Sequence, residues 1–511
     1  MQIAYLTTTS GVMMSFKANV VASYASQMYM AGLGIFILPL YVEYMGAEAY
    51  GLIGFFTMLQ AWFALLDLGL TPTISRETAR FCAGSLSALQ YRQLYRALSL
   101  IFFAIASVGG GALWFFSDEV ATQWLKTSTL GVSEIILAVQ IMAISVAIRW
   151  LSGLYRGVIT GYEKIIQLSV INIVVTSLRF IGVFGSMAVL GFNIEVFFYH
   201  QLCIAVIELI ALFLISRSAL PDPMSCGGTI GWSLKPVRPL LKFSLSVALT
   251  SSIWVMVTQV DKLVLSGILP LAEYGYFSLA VLFAAGILTL STPVSTAIMP
   301  RMAHLYSSGD ADGMINIYRA TTQLVAAVAG SAAIFIAIFS ESILYVWTGD
   351  AHIAKNSSIT LTLYASGYGV LAIAAFPYYL QYAMGDLRYH LAGNIFTLAI
   401  LIPVMVYAAS NFGAEGAGWA WLTVHTSYLI LWLGYVHKKL VPGLHLKWLF
   451  NDVLRVYFSP MILGTIISLL LPVDMDRVEL FILLSVVALL VFASSILSSR
   501  ALHLHFLRRF R

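Results

Sequence analysis

Residues 259–306, QVDKLVLSGILPLAEYGYFSLAVLFAAGILTLSTPVSTAIMPRMAHLY, decide how the rest of the chain is laid out. A charged pair, Asp261 and Lys262, stands inside an apolar run. Pro270 and the turn-like AEYG follow, and a second apolar run ends in STPVSTAIMPR. A similar layout occurs earlier, in AEAYGLIGFFTMLQAWFALLDLGLTPTISRETAR. There Tyr50 and Gly51 answer Tyr274 and Gly275, and an apolar run of the same length closes near Arg76 once a single gap is allowed. Both copies run in the same direction. Two halves on one plan, with buried charge opening the second, is a common way of building a transporter. The competing reading is that Tyr-Gly turns precede apolar helices in many membrane proteins.

Composition sets the class. Of 511 residues, 60% are hydrophobic and 10% charged, with a mean hydropathy of +0.89, whereas a soluble domain carries about 25% charge. Apolar segments of about 20 residues recur throughout, the length of a membrane-crossing helix, and the alternating segments of about 10 residues that mark a barrel are absent. The net charge of +5 matters less than the side on which it falls. Cys82, Cys203 and Cys226 form no CxxC or Cys/His metal spacing, so neither a disulfide framework nor a metal site is expected. The opening MQIAYLTTTSGVMM lacks a basic n-region and does not read as a cleavable signal; MSFKANVV from Met14 suggests that the first dozen residues are a tail or an overcalled start.

Taken in order, the apolar runs predict an all-α polytopic protein of about fourteen transmembrane helices. Residues 14–215 make an amino-terminal six-helix lobe, 216–242 a cytoplasmic linker (ALPDPMSCGGTIGWSLKPVRP is its composition shift), and 243–436 a second six-helix lobe. Residues 437–511 make a basic loop, helices thirteen and fourteen and a basic tail. ALQYRQLYRAL, with Arg92 and Arg96, is amphipathic and expected along the membrane surface. Helix four is expected over residues 132–150, followed by Gly153, Gly157 and Gly161 at four-residue spacing, a pattern of helix packing more often than of a phosphate cradle. About 23 of the 28 lysines and arginines fall in the tails and even-to-odd loops, against Lys126, Lys355 and Arg477 in the opposite loops, which predicts that both termini are cytoplasmic.

Loops much longer than about 30 residues are missing, leaving no room for a soluble catalytic domain. GxxxxGK[ST], HExxH and GxSxG are absent, so the chain does not read as an enzyme. No cofactor, metal or nucleic acid is expected. The histidines are scattered, and His503 and His505 in the tail suit a surface.

Charges inside helices carry the functional reading, because each costs about 2.5–3.5 kcal/mol at mid-bilayer and needs a partner or water. Arg179, in helix five, suits a phosphate bound through paired hydrogen bonds; it equally suits an ion pair with Glu208 on helix six. Asp261 and Lys262 point about 100° apart on a helix and cannot be assumed to satisfy one another, which leaves cavity lining, a gate between lobes, or packing. Asp261 is a candidate proton carrier that would couple transport to energy without ATP. Glu208 and Asp67 are further candidates for ion coupling or gating, and Asp67 alternatively caps a helix or pairs with Arg76 or Arg80. Gln27, Gln60 and Gln259, with tyrosines such as Tyr24, Tyr29, Tyr364 and Tyr368, suit a sugar-binding cavity, and also serve as ordinary interhelical bonding groups.

AEAYGLIGFFTMLQAWFALLDLGLTPTISRETAR, YRGVITGYEK and the residue 261–304 block resemble the polysaccharide transporter, or O-antigen flippase, family of the multidrug/oligosaccharidyl-lipid/polysaccharide exporter superfamily. The resemblance covers most of the chain from Met14. It implies two lobes around a central cavity, with helices thirteen and fourteen peripheral to a twelve-helix core. By alternating access a polyprenyl-pyrophosphate-linked oligosaccharide would move from the inner to the outer leaflet of a bacterial inner membrane. Its implied partners are the lipid-linked oligosaccharide, the bilayer, and a glycan polymerase or glycosyltransferases of the same pathway. Cationic cavity residues receive the pyrophosphate in such families, which here points to Arg179 and Lys262. The alternatives are a drug or organic-cation exporter of the same superfamily and a membrane-embedded glycan polymerase or ligase. The first favours twelve helices and an acidic cavity; the second needs a sizeable outer loop.

Overall fold

The computed structural model describes residues 2–223, 228–472 and 475–499, and these form helices with no strand. Thirteen helical spans are long and apolar enough to cross a membrane. They are α1 (Val21–Met45), α2 (Ala47–Asp67), α3 (Ala88–Phe115), α4 (Val132–Gly161), α5 (Ile165–Leu190), α6 (Ile194–Ala219), α7 (Arg238–Ile268), α8 (Leu271–Val294), α9 (Ala311–Ile338), α10 (Ala351–Met384), α11 (Arg388–Leu440), α12 (Leu444–Leu470) and α13 (Arg477–Ser498). Cys226 and the tail from Arg500, with His503 and His505, lie outside the described residues.

Span α11 accounts for two crossings. Its 53 residues would reach about 80 Å as one rod at 1.5 Å per residue, against a hydrocarbon thickness of about 30 Å. At Gly413 the backbone leaves the helix (φ 59°, ψ −139°), a conformation open to glycine. Beyond it the chain folds back: Trp432 Nε1 donates to the carbonyl of Tyr389, 43 residues earlier, at 3.2 Å, and the Phe396 and Trp432 rings stack at 5.9 Å. The thirteen spans thus make fourteen crossings.

The chain forms two compact units, Met1–Gln259 and Val260–Arg511, and the helix that carries Asp261 runs across the division. In each unit a Tyr-Gly pair sits in the first turn of a membrane helix that follows a short turn: Tyr50 and Gly51 on α2, Tyr274 and Gly275 on α8. Both tyrosines are buried.

In the first unit a helix over Leu70–Cys82 lies between α2 and α3 and, with α3 and α4, builds a core from Ile74, Tyr91, Leu98, Phe102, Leu154 and Val158. The small residues of α4 make this contact possible. A Cβ on Gly157 would strike Ile74 and the carbonyl of Thr71, and one on Gly161 the carbonyl of Ser75 and the side chain of Thr78. Their spacing serves packing.

Three sequence expectations need correction here. Span α4 does not stop near Trp150 but continues to Gly161, so Arg156, beyond the expected end of helix four, lies inside the same helix as Arg149. ALQYRQLYRAL is not a separate surface helix: a capping box between Ser87 and Gln90 starts α3 at Ala88, and the helix continues unbroken to Phe115. The first helix is also drawn back to Gln2, where the sequence suggests a tail.

In the second unit α10 is the most enclosed span. The last two helices are held to α9 and to the Ser340–Thr348 helix that follows it by polar as well as apolar contacts. Phe339 and Ile343 pack with Leu484, Val487 and Val491. Buried Asp452 accepts from Arg319 at 2.6 and 3.2 Å and from Gln323 at 2.7 Å, and Trp448 Nε1 donates to Thr322 at 2.9 Å.

Candidate functional site

Arginine is too costly to leave unpaired among lipid tails, so the arrangement of arginines in α4 and α5 is informative. Residues 149 and 156 are seven apart, two helical turns, and share one face of α4. Arg179 sits in a π-helical turn of α5 at Leu178–Gly182, a local widening often found at functional positions. All three guanidiniums meet groups from α2, α5 and α6. Arg149 Nη1 donates to Gln60 Oε1 at 2.5 Å and its Nη2 to Gln201 Oε1 at 2.9 Å, with the guanidinium 5.0 Å above the Phe56 ring. Arg156 donates to Asn172 Oδ1 at 2.7 Å and to Glu208 Oε1, and Arg179 donates to Glu208 Oε2 at 2.7 Å. Gln201 closes the network by donating to the carbonyl of Arg179 at 3.1 Å.

The charge count is unequal. One carboxylate, Glu208, buried to 5% exposure, is divided between Arg156 and Arg179. Arg149 is held by amides and a ring alone, and no carboxylate pairs with it among the described residues. The Nε groups of Arg149 and Arg179 are enclosed without a hydrogen-bond acceptor. Three cations against one anion leave a site that would gain from an added anion, and paired N–H groups of a guanidinium suit phosphate.

Arg149 also lines a cavity of about 290 Å³ with Gln60, Phe63, Asp67, Thr71 and Trp150. Asp67 accepts from the backbone N–H of Thr71 at 3.1 Å and from its hydroxyl at 2.5 Å, across a turn with left-handed Leu68 and Gly69. It therefore caps the Leu70–Cys82 helix. Arg80 pairs with Glu77 at 2.9 Å, and Arg76 lies 4.4 Å over Phe243.

Asp261 belongs to the second unit and is fully buried. Against the expectation that adjacent side chains diverge, Lys262 Nζ bends back to within 3.6 Å of Asp261 Oδ1. The flexible lysine stem permits this, because moving a buried ammonium toward a buried carboxylate relieves both. Tyr364, Tyr368 and His425 lie within electrostatic reach of Asp261. His425 Nδ1 bonds the carbonyl of Trp421 at 2.8 Å, and the Trp421 ring stacks on Tyr364 at 5.5 Å. The Asp261 oxygens, the Tyr364 hydroxyl, Trp421 Nε1 and His425 Nε2 are enclosed without close hydrogen-bond geometry.

Of the residues singled out from sequence, Gln60 joins the Arg149 network and shares its cavity with Asp67, while Arg179 and Glu208 form their pair. Gln27 is exposed on α1 and donates to Ser23 at 3.1 Å, and Gln259 is half-buried on α7; neither joins these clusters. Arg149, Arg156, Asn172 and Gln201 were missed. Moving the end of α4 by eleven residues would have placed Arg156 two turns beyond Arg149 on the same helix. Among the described residues, no three His, Cys, Asp or Glu side chains gather as metal ligands.

Comparison with known proteins agrees with this build. A Shigella flexneri protein whose name gives it, provisionally, as an O-antigen transporter is 20% identical over 419 residues, covering 81% of this chain and 92% of that protein. The solved structure of the lipid II flippase MurJ in an inward closed conformation superposes with a TM-score of 0.74 at 14% identity, over 96% of this chain and all of that one. An inward-facing multidrug resistance MATE family transporter of the MOP superfamily gives a TM-score of 0.58 at 14% identity, over 81% of this chain and 96% of that one. The family model described as polysaccharide biosynthesis protein matches residues 16–306, more than half of the sequence, and the chain belongs to that family.

Proposed function

We propose that this protein is a flippase that moves polyprenyl-pyrophosphate-linked oligosaccharide from the inner to the outer leaflet by alternating access, in a bacterial inner membrane with both termini cytoplasmic. The observation that carries the reading is the excess of cations in the first unit: Arg149, Arg156 and Arg179 against Glu208 alone. A pyrophosphate is the part of such a substrate that a guanidinium cluster would select. Arg149, held by amides that can exchange partners, is the residue assigned to receive it, with Lys262 a second candidate. The curated relative's name is consistent with an oligosaccharide cargo, and the MurJ likeness with a fold suited to lipid-linked substrates.

The buried carboxylate of Asp261, with the rings of Tyr364 and Tyr368 within electrostatic reach, favours a second reading, an exporter of organic cations, since a carboxylate beside ring faces is what an organic cation seeks. One assay separates the two. Purified protein in proteoliposomes is given a fluorescent lipid-linked oligosaccharide or a fluorescent organic cation, with and without a proton gradient. Flipping of the lipid by wild type and its loss in Arg149→Ala or Arg179→Ala at matched folded levels supports the flippase. Equal flipping by all variants makes the cations structural. Uptake of the organic cation alone establishes the second reading.

A further inference from the structure

The first unit holds a second pair of arginines unrelated to the buried network. Arg92 and Arg96 stand one turn apart on α3, and Leu100, Phe103, Ser107, Gly111 and Trp114 continue their line at helical three- and four-residue steps. Two cavities open along this line and share Phe103. The first, about 500 Å³, is bordered by Arg92, Tyr95, Arg96 and, from the linker, Trp232. The second, about 350 Å³, runs between α3 and α4 from Phe103 to Trp114 and has no charged residue in its walls. It is concave because a small side chain or none stands at Ala106, Ser107, Gly110 and Gly111, and a Cβ on Gly111 would meet nothing within 4 Å. Phe103 and Trp114 are 62% and 45% exposed, as ring faces are where lipid covers them.

The head of this groove has the opposite chemistry. Arg92 Nε donates to the carbonyl of Pro221 at 2.7 Å, and Gln93 donates to that of Thr229 at 3.3 Å. Arg96 lies 4.5 Å over the Trp232 ring. Neither arginine is paired with a carboxylate among the described residues, and a guanidinium carries five N–H donors, so most remain available to an anion. A basic head with an indole at its edge and a dry channel below matches a lipid with an anionic phosphate headgroup. Trp232 would sit at headgroup depth, where tryptophan is favoured.

We infer that the α3–α4 groove is a binding site for an anionic phospholipid of the leaflet on the linker side. Its phosphate lies between Arg92 and Arg96, and one chain runs along Phe103 toward Trp114. The basic-residue distribution makes that leaflet the cytoplasmic one. Because the same arginines hold the linker at Pro221, Gly231 and Trp232, the lipid would fasten those residues to the membrane face of the lobe.

The test is native mass spectrometry of the purified full-length protein, titrated with phosphatidylglycerol, with phosphatidylcholine, and with inorganic phosphate alone. Each basic residue near a charged surface contributes enough to change retention several-fold, so the pair should favour phosphatidylglycerol by roughly ten- to thirty-fold. Arg92→Gln/Arg96→Gln should erase that preference. Gly111→Trp, which fills the groove and leaves the arginines untouched, should weaken both lipids alike. Preference retained by the double variant overturns the site, as does displacement of phosphatidylglycerol by inorganic phosphate, which would mean a free-anion pocket. Should the double variant fail to fold, Gly111→Trp decides: unchanged lipid retention there also overturns it.

Discussion

The buried polar groups of the two units are built on opposite accounts of charge. In the first unit the cations exceed the anions, every oxygen of Glu208 is taken, and the surplus guanidinium of Arg149 leans on glutamine oxygens and a phenyl face. In the second, a fully buried carboxylate meets one lysine at 3.6 Å and has the Tyr364 and Tyr368 hydroxyls and the His425 imidazole within electrostatic reach. The first arrangement invites an anion and the second a cation or a proton. The two halves share a Tyr-Gly opening and differ in their buried charge, an arrangement that would suit a transporter handling an anionic cargo and a compensating cation.

Removing Glu208 should break the contrast most severely. Glu208→Gln leaves Arg156 and Arg179 without their shared anion, and breaking a buried pair costs about 3–5 kcal/mol. Because Arg156 and Arg179 are partly exposed, the lower end is expected, seen as a fall in the apparent melting temperature in detergent. A variant as stable as wild type would mean that water already screens these charges. Next in size, Arg149→Gln should cost about ten- to a hundred-fold in flipping rate with little change in stability, and Arg149→Lys should not restore it, since a lysine cannot offer the paired donors. Full rescue by lysine would reduce Arg149 to a simple positive charge.

Asp261→Asn sharpens the other side of the comparison. It keeps the shape of the side chain and removes its charge, so transport should persist and lose its dependence on a proton gradient. An unchanged gradient response would release Asp261 from coupling. The smallest expected effect belongs to Asp67→Ala, which removes a helix cap worth about 1 kcal/mol. A larger loss of transport than of stability would move Asp67 from capping to the cavity it shares with Arg149.

Hydropathy made the membrane class and the helix number legible and offered the pairing of Arg179 with Glu208 as one of two readings, because lipid forces long apolar runs and leaves few places for a charge. The ends of helices were less legible. Helix four was expected to end near Trp150, yet α4 continues to Gly161, since the Leu70–Cys82 helix covers its last turns and supplies the contacts that lipid would not. With that end misplaced, Arg156 read as a loop residue. Gln27 shows the converse: glutamine in an apolar run signals a polar neighbour, and the neighbour is Ser23 on its own helix. The approach of Lys262 to Asp261 was invisible to helical spacing, which fixes where a side chain leaves the backbone and not where a four-carbon stem ends.

The reversal at Gly413 acts as a parity switch for the whole topology. With it the described spans make an even number of crossings; with one unbroken helix in its place, everything from Leu444 onward would lie upside down, and the buried clasp between Arg319 and Asp452 could not form. A single dihedral that only glycine adopts cheaply thus decides in which direction α12 and α13 run.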